Sequence, residues 1–185
     1  MQNFVLEKKL GKDLTQAELD TINKYRKKEF DHQKSWTKEK LGLRKGHLFF
    51  LLRDENSALL AFCRLRPIEL IFMNNQFNIL GLSTVISTEK GKGYGKALMK
   101  HIIEYVVEQG KTMIGFCEAK NRGFYLKSGL KIIEDGCLRF IYVNKQGRRI
   151  GDDGDVIYLE GKDGFVEEIM KYPTEKVISN YVPHW

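Results

Sequence analysis

At Ser87 the hydrophobic pattern of the chain changes period, and that change limits the possible folds more than any other feature. Residues 79–87, "ILGLSTVIS", form an apolar run of strand length. After the polar stretch "TEKGKGYGK", Leu98, Ile102, Tyr105 and Val106 recur at helical spacing as far as Gly110, a natural helix stop. Residues 112–118, "TMIGFCE", then resume strand character. A strand over 79–87, a helix ending at 109 and a strand over 112–118 make a βαβ unit. A connection of more than a dozen residues allows the two strands to run parallel, with a right-handed crossover.

The link between strand and helix carries glycines at 91, 93 and 95, interleaved with Lys90, Lys92 and Lys96. Glycines let backbone N–H groups close on an anion, and the free amides and dipole of a helix N-terminus favour negative charge. The spacing predicts a pyrophosphate cradle and excludes two common kinds. A P-loop needs four residues between its glycines and a Ser or Thr after the lysine, but Lys96 is followed by Ala97. A dinucleotide fingerprint reads G-x-G-x-x-G, whereas this loop reads G-x-G-x-G.

The rest of the chain organises around that unit. Residues 3–10 read as a first strand, and a helix begins after Thr15, with Glu18 completing a capping box. A short helix is expected over 35–41. Two strand runs follow, joined by a hairpin at residues 54–57, with Pro67 bending the second. Another strand pair turns at Asn74 and Asn75. "NRGFYLKSG" is a short helix ending at Gly129, the segment after it reads as antiparallel strands, and the C-terminus as a helical turn or two and then a tail. No repeat or linker interrupts the 185 residues, so a single domain over 1–185 is expected. Cys63, Cys117 and Cys137 have no metal or disulfide spacing and read as buried, reduced thiols. No metal site is expected. The net charge is +7, but the 31 lysines and arginines occur along the whole chain with no basic block longer than three residues, which argues against specific nucleic-acid binding. With no apolar run long enough to span a bilayer, the protein is expected to be cytoplasmic and free of membranes.

Lys90, Gly93 and Gly95 resemble the Q/R-x-x-G-x-G/A loop of the GNAT N-acetyltransferases, with Lys90 in the basic position. The likeness extends over residues 80–131, because "FCEAKNRGFYLKSGLK" is similar to that family's following strand and helix. The resemblance implies an α+β fold: a mixed, mostly antiparallel central sheet with one splayed parallel strand pair, flanked by helices. It further implies acetyl-CoA as donor and direct transfer to a primary amine in a ternary complex. Ser83, Val85, Ile86 and Ser87 would pair with the pantetheine arm, with the N–H of Val85 on the acetyl oxygen. Lys90, Gly91, Lys92, Gly93, Tyr94, Gly95 and Lys96 would hold the pyrophosphate, and Asn121 would also contact the cofactor. Tyr125 would be the general acid toward the CoA sulfur. Glu118, standing where the family often has Asn, is one candidate base, a water chain another.

"GDDGDVIYL" and the terminal Trp resemble the aminoglycoside 2'-N-acetyltransferases, a subgroup whose carboxylates gather a polycationic sugar. By that resemblance Asp31, Asp152 and the carboxylate of Trp185 would bind a small cationic acceptor. Two alternatives stay open: a transferase for a protein or peptide amine, and a non-catalytic acyl-CoA-binding module. The oligomeric state is expected to be monomer or homodimer.

Overall fold

A computed structural model describes residues 4–30, 34–143, 149–151 and 153–179. Its elements in chain order are β1 (Val5–Leu10), α1 (Gln16–Glu29), α2 (Lys38–Gly42), β2 (Leu48–Arg53), β3 (Leu59–Phe72), β4 (Asn75–Ser87), α3 (Tyr94–Gln109), β5 (Met113–Cys117), α4 (Arg122–Lys127), β6 (Lys131–Ile133), β7 (Phe140–Val143), β8 (Arg149–Gly151), β9 (Asp155–Leu159), α5 (Phe165–Lys171) and β10 (Val177–Ser179). The sheet runs β6-β9-β5-β4-β3-β10-β7-β8, with β1 on β2 and β2 on β3. No helix among the described residues is long and apolar enough to cross a membrane.

The expected βαβ unit is β4–α3–β5, and its strands are parallel. They pair only at Leu80–Met113 and Gly81–Ile114, with Leu80 N donating to Thr112 O at 2.8 Å. Their pairing stops after two residues, which is the splay the fold class implies.

Several boundaries moved, each for a local reason. Helix α2 starts later than expected because Thr37 takes the cap, accepting from Lys40 N at 3.3 Å. The run ending at Pro67 and the one after it are one strand of 14 residues, β3. Among the described residues β2 pairs with β3 up to Leu65 and β10 with Leu70 and Ile71, so Pro67 falls between these two pairings. The β3–β4 hairpin turns on Met73 and Asn74, with φ of 46° and 65°, the left-handed pair a two-residue hairpin requires. In the C-terminal tail, β10 adds a second parallel pair by lying beside β7.

Contacts divide the chain into two compact units, residues 1–66 with 83–102, and residues 67–82 with 103–185. The first is built on Leu14, Leu19, Ile22, Phe49, Phe62 and Ile86. Its helix α1 is fixed by the capping box: Thr15 Oγ1 accepts from Glu18 N at 3.2 Å and Glu18 Oε2 accepts from Thr15 N at 2.8 Å. The second packs Leu70, Phe72, Ile79, Ile114, Val156 and Phe165 together. All three cysteines are buried, and none forms a disulfide. Burial pushes the thiol of Cys63 up, and that of Cys117 up to about 11, so both stay protonated and unreactive.

Candidate active site

The donor half of the site is main chain. Gly91 and Gly93 have φ of 78° and 80°, a conformation that side chains resist, and a Cβ at either would meet nothing within 4 Å. Glycine is therefore favoured here by backbone conformation alone and not by a neighbouring wall. Ala97 N donates to Gly93 O at 3.0 Å, so Gly93 caps α3 and the amides of Tyr94, Gly95 and Lys96 form its unpaired first turn. The ring of Tyr94 is buried edge-on against Phe4 at 6.0 Å, leaving its amide as the group it can offer a ligand. Lys92 and Lys96 are exposed, and Lys90 pairs with Glu29 at 2.9 Å. The loop base is tied to β3 by Thr88, whose N and Oγ1 both donate to Leu60 O, at 2.9 and 3.0 Å.

Just ahead of this loop, Thr84 has φ of 58° in the middle of β4. A β-branched residue in the left-handed region costs roughly 1–3 kcal/mol and persists only where its surroundings impose it. The kink leaves Thr84 and Val85 consecutively half-buried, between buried Ser83 and buried Ile86. Nothing in the sequence marked it. Ser83 Oγ accepts from Arg64 Nε at 3.0 Å and donates to Arg64 O at 3.4 Å, while the side chain of Ile86 belongs to the core, so both residues can address a ligand only through their backbones.

In the other unit, Tyr125 sits half-buried on α4, its ring edge-on to Phe124 at 4.9 Å. Helix α4 is anchored by Arg122, which donates to Asp155 at 2.8 and 3.0 Å and pairs with Glu134 at 3.0 Å. Asp155 is buried on β9 and also accepts from Asp135 N at 3.0 Å. The hydrogen bonds from Arg122 hold its carboxyl below the usual range, against the opposing effect of burial. Sequence reading missed this anchor, since its partners are 33 residues apart. Asn121 is exposed at the end of the turn before α4, its N–H bonded to Glu118 O at 2.9 Å. Glu118 is also exposed and forms a surface ion pair with Lys120 at 2.7 Å, which does not isolate it as a desolvated base.

The acceptor residues Asp31, Asp152 and Trp185 lie outside the described residues. Part of the segment that suggested them has a structural use. A Cβ on Gly154 would stand 2.8 Å from Cys117 O, and Asp155 is the anchor of Arg122, so "GD" at 154–155 serves the fold.

The model of the acetyltransferase (GNAT) family matches residues 12–130, more than half of the chain, a span that takes in the glycine loop and the Tyr125 helix. The chain belongs to the GNAT acetyltransferase family. Its members are N-acetyltransferases that draw the acyl group from acetyl-CoA or another acyl-CoA, and the fold and enzyme class of this chain are theirs. An acyl-CoA N-acyltransferase from Pseudomonas aeruginosa, 16% identical, aligns with TM-score 0.55 over 84% of this chain and 99% of its own. A GNAT-family acetyltransferase from Staphylococcus aureus Mu50, 14% identical, aligns with TM-score 0.54 over 85% and 99%. The GCN5-related glucosamine N-acetyltransferase region of a fungal multi-domain GH3 β-N-acetylglucosaminidase is 17% identical, with TM-score 0.53 over 72% of this chain and 17% of that protein. At such identities the likeness is one of fold. No curated protein sequence matches this chain.

Proposed function

We propose that this GNAT enzyme transfers acetyl from acetyl-CoA directly to a primary amine of a small molecule in a ternary complex. The observation that carries the reading is the coincidence, within residues 84–96, of the strained Thr84, the left-handed Gly91 and Gly93, and the first turn of α3. Those features fit the donor. The amides of residues 91–96 suit a pyrophosphate, with Lys90, Lys92 and Lys96 supplying charge around it. The backbone of Ser83, Val85, Ile86 and Ser87 continues β4 beyond its pairing with β5 and suits an extended amide-bearing arm. When bound, acetyl-CoA would supply a thioester whose carbonyl carbon is the electrophile for the amine nitrogen.

The chain's own groups are assigned the remaining work. The N–H of Val85, turned by the kink at Thr84, stabilises the charge that develops on the acetyl oxygen. As the C–N bond forms and the C–S bond breaks, Tyr125 gives its phenolic proton to the departing sulfur. The amine proton leaves through water or to Glu118; the exposed ion pair of Glu118 with Lys120 favours water. Asn121, in the turn before α4, stays with the cofactor contacts. The acceptor-binding residues of the aminoglycoside-like reading, Asp31, Asp152 and Trp185, lie outside the described residues, so that reading rests on sequence resemblance.

Thiol release from acetyl-CoA over a panel of amines tests the proposal, with Gly93→Val as control. The variant is expected to stay folded by circular dichroism and to lose acetyl-CoA affinity at least roughly 10²-fold by calorimetry, because valine cannot hold φ near 80°. Unchanged affinity in a folded Gly93→Val protein removes the cradle from the mechanism.

A further inference from the structure

The most basic stretch of the chain runs from Lys24 to Lys45, with nine lysines and arginines against three acids, and it accounts for nearly all of the net +7. Within the same unit Arg26, Arg64 and Arg66 are buried, at 3%, 4% and 2% exposure. The Arg26 guanidinium lies 3.5 Å from the ring centre of Trp36, and that of Arg64 lies 4.5 Å from the same ring. The backbone of Trp36 is bonded to Asn23, whose Nδ2 donates to Trp36 O and whose Oδ1 accepts from Trp36 N, both at 2.9 Å, and its ring also packs edge-on against Phe49 at 5.5 Å.

Arg64 is the unusual member. Its Nε is used by Ser83 Oγ, but Nη1 is buried without a hydrogen-bond partner, and no carboxylate among the described residues forms an ion pair with it. Burial first, then the neighbouring Arg66, Arg44 and Arg26, pushes its pKa down. His47 reports the same field: burial, then Arg64, Arg66 and Arg44, drive it down to about 3 and keep it neutral. A buried guanidinium among like charges is costly unless a matching anion is supplied. Here the described fold supplies a hydroxyl and an aromatic face.

We propose that Arg64, with Arg26 and Arg66 around it, receives an anionic group of the acceptor, so that the substrate is a small primary amine bearing a carboxylate or phosphate. The proposal rests on the acetyl-transfer reading for what happens to the amine, but not for the anion site itself. Ser83 links the two places. It holds Arg64 and stands two residues before Val85, roughly 7 Å along a strand, so the amine and the anion of one short molecule fit between them. The ring of Trp36 lies 4.5 Å from the Arg64 guanidinium, so an anion bound there should alter the fluorescence of Trp36.

Matched pairs of probes provide the test: β-alanine against β-alaninamide for a carboxylate, phosphoethanolamine against ethanolamine for a phosphate, and kanamycin for a polycation. In the wild type, kcat/KM by thiol release is expected to favour the anionic member of at least one pair by roughly 30-fold, and the pair that responds identifies the group. In Arg64→Met the ratio should fall below about 3-fold with the Kd for acetyl-CoA unchanged. In a Trp185→Phe background, the remaining Trp36 should report binding of the anionic probe and not of its neutral match. Ratios near one in the wild type, a preference for kanamycin, or a preference retained in Arg64→Met overturns the proposal. If no amine releases thiol yet the anionic probe alone changes the fluorescence, the anion site stands and the acetyl-transfer reading falls. Thiol release with no charge preference has the opposite meaning.

Discussion

Arg122 and Arg64 are both tied to neighbouring side chains at about 3 Å, yet they are held in opposite ways. Arg122 meets two carboxylates, Asp155 and Glu134, and its pKa is raised, chiefly by the hydrogen bonds to Asp155. Arg64 meets a serine hydroxyl and a tryptophan ring, keeps an unbonded Nη1, and its pKa is lowered by burial. The first is a completed ion pair that fixes the Tyr125 helix against β9. The second is a buried cation with no counter-charge among the described residues. On the readings proposed above, the satisfied arginine supports the helix of the acid, and the unsatisfied one is the place for a ligand.

The largest effect is expected at the satisfied pair and the residue it serves. Tyr125→Phe keeps the ring against Phe124 and removes the proton donor, so kcat should fall roughly 10²-fold with stability and acetyl-CoA affinity unchanged. Asp155→Asn leaves Arg122 facing a neutral amide and weakens the bond from Asp135 N. It should lower both the urea midpoint and, by roughly 10-fold, kcat, since a displaced helix misplaces the acid. If Asp155→Asn loses stability but no turnover, the anchor is structural only, and the link drawn between Arg122 and Tyr125 breaks.

How far the sequence exposed this contrast depends on the range of the interactions. The loop was legible because its cause is local: a change of period at Ser87 and glycines every second residue. Thr15 and Glu18 were legible as a capping box for the same reason. Thr84 was not, because threonine favours extended backbone and gives no local sign that tertiary packing will hold it at positive φ. Neither arginine was legible, since Ser83 is 19 residues from Arg64 and Asp155 is 33 from Arg122. Strand β3 was divided at Pro67 because a proline reads locally as a break, whereas the change of described partner from β2 to β10 on either side of it exists only in the folded sheet.

A smaller effect is expected in the pH dependence of stability. His47 has its pKa lowered from 6.5 to about 3 in the folded protein, so between those values the unfolded chain binds the proton that the folded one refuses. Its contribution is therefore fully present above about pH 6.5 and is lost as pH falls toward 3. Asp155 has a depressed pKa as well, but its contribution is lost only below the usual carboxylate range. The upper part of the acid limb thus reads the arginine cluster and the lower part the completed pair. His47→Leu should narrow its stability gap to the wild type by about 1.4 kcal/mol per pH unit between pH 6 and 5, measured by urea unfolding. Parallel curves through that window mean that His47 is protonated in the fold and that the cluster is less cationic than Arg64 implies.

The smallest effect is the one that separates the two arginines most sharply. Removing one partner of a completed buried pair leaves an uncompensated group, whereas replacing a buried charge that has no counter-charge by an apolar side chain of similar length is neutral or stabilising. Methionine fills the space of an arginine stem and packs well against an aromatic ring such as Trp36. Ser83 Oγ keeps its bond to the backbone O of residue 64, so the substitution need not orphan it. Arg64→Met should accordingly change the urea unfolding free energy by less than about 1 kcal/mol, or raise it, while costing the enzyme its preference for anionic amines. A loss of stability as large as that of Asp155→Asn would place Arg64 in the same class as Arg122, a cation whose counter-charge belongs to the fold.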